Sequence, residues 1–156
     1  MKRLILIARA LFISACAAPK VENNAEAHYN RGNACYDKGD YDCAISNYSK
    51  AIKINPGLAE AYNNRGIAYG RKGQYDKAIS DYNKAIGLDP RNAMAYYNRG
   101  LAYAQGKGQY DQAISDYTKA IELSPRFAMA YNNRGVAYYY KGEYDKAWED
   151  VYKAQS

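Results

Sequence analysis

The sequence predicts an all-α fold, an α-solenoid of four helix–turn–helix units that stack on one another. The first observation is an internal repeat of 34 residues, lengthened once to 35, that places the same glycine and the same alanine in every copy. The second is that each copy contains two segments in which small and aromatic residues recur at helical spacing. The repeated positions are Gly32, Gly66, Gly100 and Gly135, and Ala44, Ala78, Ala113 and Ala147.

Each copy divides into the same elements. In the second copy, Gly66 and Tyr69 lie on one face of a first helix, and Ala78 and Tyr82 lie on one face of a second. A glycine separates the two helices, and an aspartate near the start of the second helix suits the positive end of its dipole. A proline ends the first three copies, and one extra residue falls in "AQGKGQY". The copies span 25–58, 59–92, 93–127 and 128–156.

Composition limits the classes of function. The chain has 156 residues, of which 48% are hydrophobic, and this is enough for one domain with a core. Lys2, Arg3 and Arg9 account for half of the net charge of +6, and charges of both signs alternate along the remainder. Such a pattern lacks the basic stripe of a nucleic-acid-binding surface, so no nucleic-acid partner is predicted.

The N-terminal segment is typical of an export signal. Residues 1–15 begin with basic residues and continue with an apolar run that is too short to span a bilayer as a helix. The sequence Ile13-Ser14-Ala15-Cys16 resembles the lipobox of bacterial lipoproteins. The resemblance implies cleavage before Cys16, acylation of that cysteine with chains such as palmitate, and a tether over 16–24.

The residue after the cysteine indicates the membrane in which such a lipoprotein resides. Ala17 stands where lipoproteins retained in the inner membrane often carry aspartate, so the resemblance implies the periplasmic face of a bacterial outer membrane. Arg9 interrupts the apolar run and leaves an alternative open, in which the segment is not cleaved and the protein is a soluble cytoplasmic adaptor.

The unit at 59–92, "AEAYNNRGIAYGRKGQYDKAISDYNKAIGLDPRN", resembles the tetratricopeptide repeat. The matching positions are Gly66, Tyr69, Ala78, Tyr82, Ala85 and Pro90. The resemblance extends over 25–156 and implies antiparallel helix pairs in a right-handed superhelix with a concave groove. It also implies a non-catalytic scaffold that binds an extended or helical peptide. Lipoproteins of this kind serve envelope assembly, such as pilus or secretin machinery, so that role is expected by analogy.

An arginine precedes the glycine in every copy, where the family usually has an apolar residue. Asp81 follows Arg65 by 16 residues, and equivalent aspartates follow two of the other arginines. We expect each pair to join two helices through a bidentate contact; the alternative is a solvated arginine whose stem covers apolar surface. The predicted pairs are Arg65 with Asp81, Arg99 with Asp116, and Arg134 with Asp150.

An asparagine precedes each of these arginines, and the resemblance places it on the concave face. A carboxamide can both donate to and accept from a peptide backbone, which predicts an asparagine ladder that binds an extended peptide. The alternative is that these side chains are solvated or bond to the neighbouring helix. The predicted ladder is Asn30, Asn64, Asn98 and Asn133, and the other predicted groove residues are Asn63, Met94, Tyr97, Leu101, Met129, Asn132, Val136, Tyr139 and Tyr140.

The remaining cysteines and the single histidine indicate structural roles rather than catalysis or metal binding. Cys35 and Cys43 both fall in the first copy, which in an exported chain suggests a disulfide; two free thiols are the alternative. His28 occupies a position that is tyrosine in the other copies. We find no pattern for a catalytic site, a metal or a cofactor.

The last helix has no following copy in this sequence. Trp148 and Tyr152 are therefore expected to be poorly covered, which predicts a partner or self-association at this helix. The predicted partner class is another protein or peptide, with membrane attachment through the N-terminal lipid. An RNA-binding helical repeat is a less favoured alternative.

Overall fold

The computed structural model describes residues 24–155, which form eight α-helices and no strand. This confirms the predicted all-α class. The helices are α1 (Ala25–Asp37), α2 (Tyr41–Ile54), α3 (Ala59–Arg71), α4 (Tyr75–Leu88), α5 (Ala93–Lys107), α6 (Tyr110–Leu123), α7 (Ala128–Tyr140) and α8 (Tyr144–Gln155). Within this part of the chain, none of the helices combines the length and the apolarity needed to cross a bilayer.

The helices pack as four antiparallel pairs, α1/α2, α3/α4, α5/α6 and α7/α8, and each pair packs against the next. The first helices of neighbouring pairs also contact each other, as α1 with α3, α3 with α5 and α5 with α7. The described second helices make no such contacts with one another. Because first helices approach more closely than second helices, the stack curves, and the first helices line its concave side.

The turn between the helices of a pair requires glycine. In the second pair, the N–H of Gln74 donates to the carbonyl of Tyr69 and the N–H of Gly73 donates to the carbonyl of Gly70, both at 2.9 Å. These bonds close the helix end around Gly73, whose φ is +70°. A side chain there would strain the backbone, so glycine fixes where the first helix ends.

Close approach within a pair depends on a second glycine. A Cβ on Gly66 would lie 2.7 Å from the ring of Tyr82, so the bare backbone of α3 packs directly on that ring. The fourth pair differs, because Val151 takes the place of the tyrosine and Gly135 instead faces the backbone of Ala147. The equivalent contacts in the other two pairs are Gly32 on Tyr48 and Gly100 on Tyr117.

The extra residue of the third copy lengthens a helix. The α5 helix has 15 residues, whereas α1, α3 and α7 have 13 each. The lengthened end of α5 brings Gly106 against Tyr75, whose ring would lie 2.2 Å from a Cβ at that position. The insertion is therefore absorbed at the end of α5, where glycine allows contact with the preceding pair.

Candidate functional site

The concave side contains a pocket between the first and second pairs. It is lined by Asn33, Tyr36, Asp37, Asn64 and Ile67, with Tyr48 beneath them. The Tyr48 hydroxyl donates to Asn33 Oδ1 at 2.7 Å, and burial raises the pKa of Tyr48 to about 12. The pocket is thus a cleft lined by amide, carboxylate and apolar groups, and its floor is a buried, neutral phenol.

A second pocket lies between the second and third pairs. Arg71, Asn98 and Gln105 supply its polar groups, and Ile67 and Leu101 supply apolar surface. Arg71 Nε donates to the Tyr36 hydroxyl at 3.1 Å, and this bond raises the pKa of the guanidinium. A fixed positive charge beside amide groups can bind a carboxylate or backbone carbonyls.

The asparagine row connects neighbouring first helices. Asn64 Nδ2 donates to the Tyr29 hydroxyl at 3.0 Å and to Asn33 Oδ1 at 3.2 Å. Asn98 Nδ2 donates to Asn63 Oδ1 at 3.1 Å. Three of the four predicted ladder residues therefore bond to the preceding first helix, the alternative role that their position allows. The third of these residues, Asn133, donates from Nδ2 to the Tyr97 hydroxyl at 2.8 Å.

These bonds leave part of the row available to a ligand. Asn98 and Asn64 each line a pocket, and Asn30 lies in a third pocket beside Glu26 and Glu60. The Nδ2 groups of Asn64 and Asn98 are engaged, and Asn64 Oδ1 already accepts from Asn63 Nδ2 at 3.2 Å. The carbonyl oxygen of Asn98 is therefore the simplest group that the row could offer a peptide N–H.

Three predicted groove residues are mainly buried, and Asn98 is one of them at 8% exposed. Tyr97 is 8% exposed because its ring packs against Tyr117 and Phe127, with ring centroids 5.8 and 4.8 Å apart. Asn63 is also 8% exposed and accepts the bond from Asn98. All three are mainly part of the packing between first helices, so the expectation that they line an open groove is corrected, and Asn98 keeps only a small exposed part at the second pocket.

The other predicted groove residues of α5 and α7 lie on open surface. Asn132 is exposed, and Leu101 is half-buried and lines the second pocket. The exposed hydrophobic side chains of this half are Met94, Met129, Val136, Tyr139 and Tyr140. The groove therefore runs from acidic and polar groups on α1 and α3 to an apolar, aromatic surface on α5 and α7.

The arginine of each later copy joins three helices. Arg65 Nε and Nη2 donate to the two carboxylate oxygens of Asp81, both at 2.7 Å, as the 16-residue spacing predicts. Its Nη1 donates to Ser49 Oγ of the preceding copy at 2.9 Å. The guanidinium also lies 5.6 Å from the ring centroid of Tyr62 and 5.9 Å from that of Tyr69. The hydrogen bonds to Asp81 raise the pKa of Arg65.

The same arrangement recurs in the next two copies. Arg99 binds Asp116 and, through Nη1, Asn83, whereas Arg134 binds Asp150 and, through Nη1, Thr118. Ser49, Asn83 and Thr118 were not predicted from the sequence, because their side chains share an acceptor oxygen but not a residue type. Their spacing of 16 residues before each arginine is the signal that could have found them.

The first copy carries a covalent bond between its two helices. Cys35 and Cys43 form a disulfide between α1 and α2, with their Cα atoms 5.7 Å apart. The same two positions carry a cation–π pair in the second copy, where Lys77 Nζ lies 5.4 Å from the centroid of the Tyr69 ring. Asn47 stands in place of the aspartate and donates to the Cys43 carbonyl at 3.0 Å. The bridge thus occurs in the copy that lacks the acidic partner.

The described residues contain no group of three or more His, Cys, Asp or Glu side chains placed to hold a metal ion. The single histidine, His28, is half-buried, and its Nδ1 lies 3.5 Å from Asn47 Oδ1. The predicted signal peptide and lipidated Cys16 fall outside the residues that the structure describes.

The sequence matches known repeat families along most of the helical region. The TPR repeat family matches residues 32–73 and 107–142. Two tetratricopeptide repeat families match residues 59–92 and 81–115. No curated protein sequence matches the chain.

Solved structures share both the fold and part of the sequence. The crystal structure of MamA is 35% identical with a TM-score of 0.81, and the match covers 85% of this chain and 77% of MamA. The TPR domain of Arabidopsis OM64 is 30% identical with a TM-score of 0.71, covering 72% of this chain and 93% of that one. The first TPR domain of Spaghetti (RPAP3), bound to the HSP90 peptide SRMEEVD, is 29% identical with a TM-score of 0.74, covering 76% and 94%.

Proposed function

Since the chain belongs to the tetratricopeptide repeat family, we propose that it is a non-catalytic scaffold that binds a peptide segment of another protein in its concave groove. The observation that carries this proposal is the continuous surface of first helices, which changes from pockets that contain amide and charged groups to exposed apolar side chains. A related domain, that of Spaghetti, holds a peptide of HSP90.

The groove favours a ligand with two chemical halves. Arg71 in the second pocket suits an acidic side chain or a backbone carbonyl. Beyond it, Met129, Val136 and Tyr140 are at least half exposed, and they suit an apolar, aromatic segment. We therefore propose a peptide, extended or helical, in which an acidic residue lies next to an apolar run.

Photo-crosslinking tests this proposal. A benzophenone amino acid is placed at Met94 or Val136 in the groove, and at Lys84, an exposed residue of α4 on the outer side, as the control. Irradiation in cells of the source organism should give the same adduct from both groove positions and none from the control. Adducts at the outer position alone, or no adducts at all, would contradict groove binding.

The asparagine row is tested separately with Asn64→Ala/Asn98→Ala. If the carbonyl oxygens of these residues bind the ligand backbone, the double variant should lose the groove adduct at a temperature at which it is still folded. Its melting temperature should fall, because the substitutions also remove the bonds to Tyr29, Asn33 and Asn63. If the folded double variant still gives the full amount of groove adduct, the asparagines only hold neighbouring first helices together.

We also propose that Cys16 is acylated and that the lipid holds the scaffold at the periplasmic face of a bacterial outer membrane, in envelope assembly such as pilus or secretin machinery. The support is the Ile13-Ser14-Ala15-Cys16 sequence alone. Incorporation of labelled palmitate should be lost in Cys16→Ala, and the protein should move from the membrane to the soluble fraction. Equal labelling of both chains would show that Cys16 is not the acylated residue, and no labelling of either chain would favour the cytoplasmic adaptor.

Finally, we propose that the exposed aromatic face of α8 mediates self-association. Tyr144, Trp148 and Tyr152 are 56%, 64% and 72% exposed, which is unusual for three large aromatic side chains on one helix. Oligomers that grow with protein concentration and are lost in Trp148→Asp would support this proposal.

A further inference from the structure

The interface between neighbouring pairs follows one pattern throughout the stack. An alanine of the first helix packs in a cluster with a tyrosine and an isoleucine of the preceding second helix. In the α2/α3 interface these are Ala68, Tyr41 and Ile45. The other two sets are Ala102 with Tyr75 and Ile79, and Ala137 with Tyr110 and Ile114.

A salt bridge accompanies each of these apolar contacts. A lysine at the end of the first helix binds an aspartate in the first turn of the preceding second helix. Lys107 Nζ lies 2.6 Å from Asp76, and Lys141 Nζ lies 2.6 Å from Asp111. Lys72 binds Asp42 in the same way. Each interface therefore combines a small residue, two large residues and a pair of opposite charges.

The two ends of the described stack each carry one half of this pattern. On α8, Tyr144 and Trp148 stand at the tyrosine and isoleucine positions, and Asp145 at the aspartate position. On α1, Ala34 stands at the alanine position, and Lys38 follows at the lysine position. Ala34 is exposed, whereas its three equivalents are at most 4% exposed, because only they are covered by a preceding second helix.

We propose that α1 of one copy docks on α8 of another, head to tail, and so repeats the interface between pairs. This inference deepens the self-association proposed above and is independent of peptide binding in the groove. Ala34 would pack between Tyr144 and Trp148, and Lys38 would bind Asp145. A second copy is the favoured occupant because one chain supplies both halves of the interface, with opposite charges at matching places.

The proposed contact gives an open-ended assembly. A head-to-tail contact uses two different surfaces, so each added copy leaves one surface of each kind open, and the assembly lengthens with concentration. The concave groove would continue from copy to copy.

Directed crosslinking distinguishes the proposed polarity. Two single variants of the full chain, Lys38→Cys and Asp145→Cys, change exposed residues that lie outside the apolar core. A short bis-maleimide should crosslink a mixture of the two into heterodimers. The parent chain is the control for crosslinking through Cys16. If two copies of Asp145→Cys crosslink to each other and the mixture gives no heterodimer, α8 packs on α8. That result would overturn the head-to-tail arrangement but keep self-association.

Sedimentation of the full chain supplies the second measurement. Trp148→Asp and Ala34→Glu should each weaken association by about tenfold or more. Leu88→Asp, which changes an exposed apolar residue of α4, should leave association unchanged. A parent chain that stays monomeric at every concentration would overturn both the polarity and the self-association, without bearing on the groove. Association that survives Ala34→Glu but not Trp148→Asp would overturn the polarity alone.

Discussion

Arg99 meets Asp116 side-on, so that Nε and Nη2 each donate to a different carboxylate oxygen at 2.8 and 2.6 Å. The carboxylate is almost completely buried, whereas the arginine side chain keeps about a fifth of its surface in solvent. The contact fixes α5 against α6, and Nη1 reaches Asn83 on α4 at 2.6 Å. An ionic contact thus positions two successive pairs with one side chain.

Removing one partner of this contact should destabilise the protein. We expect Asp116→Asn to lower the free energy of unfolding by about 2 kcal/mol, less than for a fully buried pair because Arg99 is partly solvated. Urea unfolding measures the change. Asp111→Asn, which removes an exposed partner of Lys141, is the matched control and should cost less than about 1 kcal/mol. Equal effects of the two substitutions would show that burial of the Arg99 pair adds nothing.

The glycine that contacts Tyr82 should not tolerate even a methyl group. Gly66→Ala would place a Cβ 2.7 Å from the ring and should cost about 1–3 kcal/mol. Gly87→Ala, in α4 with nothing within 4 Å of the new Cβ, should instead stabilise the protein by about 0.5–1 kcal/mol. Thermal unfolding followed by circular dichroism compares the two. A neutral Gly66→Ala would mean that the pair can separate without loss.

The disulfide should stabilise the first helix pair, which has Asn47 where the later copies have an aspartate. Cys35→Ala/Cys43→Ala should lower the free energy of unfolding by about 2–3 kcal/mol, the chain-entropy value for a short loop. Cys35→Tyr/Cys43→Lys introduces the pair found at 69 and 77 and should recover part of this loss. Urea unfolding of the three chains makes the comparison. If the alanine variant equals the parent, the bridge does not contribute to stability.

Alkaline pH should destabilise the fold through its buried tyrosines. Burial raises the pKa values of Tyr48, Tyr82, Tyr97 and Tyr117, so the unfolded chain loses these protons at a lower pH than the folded one. Stability should therefore fall as pH rises above the ordinary tyrosine pKa of about 10 and should continue to fall toward about pH 12. Tyrosinate absorbance during titration should show a late group of residues.

Tyr117→Phe provides the control for this effect. Its ring packing is kept, so stability at neutral pH should change by no more than about 1 kcal/mol. The decline above about pH 10 should become shallower, because one group with a raised pKa has been removed. An unchanged slope would mean that other groups, such as lysines, cause the alkaline instability.

The sequence was sufficient for the architecture because the repeat returns the same residues to the same places. Gly73 and its equivalents indicate the turns, and the spacing of Arg65 and Asp81 predicts an ion pair across two helices. Side-chain roles within the groove were harder to predict. Asn63 and Tyr97 fall on the groove-facing side of their helices, yet the close approach of neighbouring first helices buries them.

The asparagine row shows the same difficulty in predicting side-chain roles. A carboxamide on a concave surface can bind a ligand or a neighbouring helix, and its position along one helix does not distinguish the two. The distance between neighbouring first helices decides, and that distance depends on residues elsewhere, including Ala68 against Tyr41 and Ile45. Asn64 consequently bonds to Tyr29 and Asn33 of the preceding copy.

The disulfide makes the stack unequal from one end to the other. The first pair is closed covalently by Cys35 and Cys43, and α1 also contacts α3, whereas α8 contacts only α7 among the described helices. In a linear array each unit depends on its neighbours, so local opening begins where neighbours are fewest. Under mechanical or thermal load the chain should therefore unravel in one direction, from α8 back toward α1.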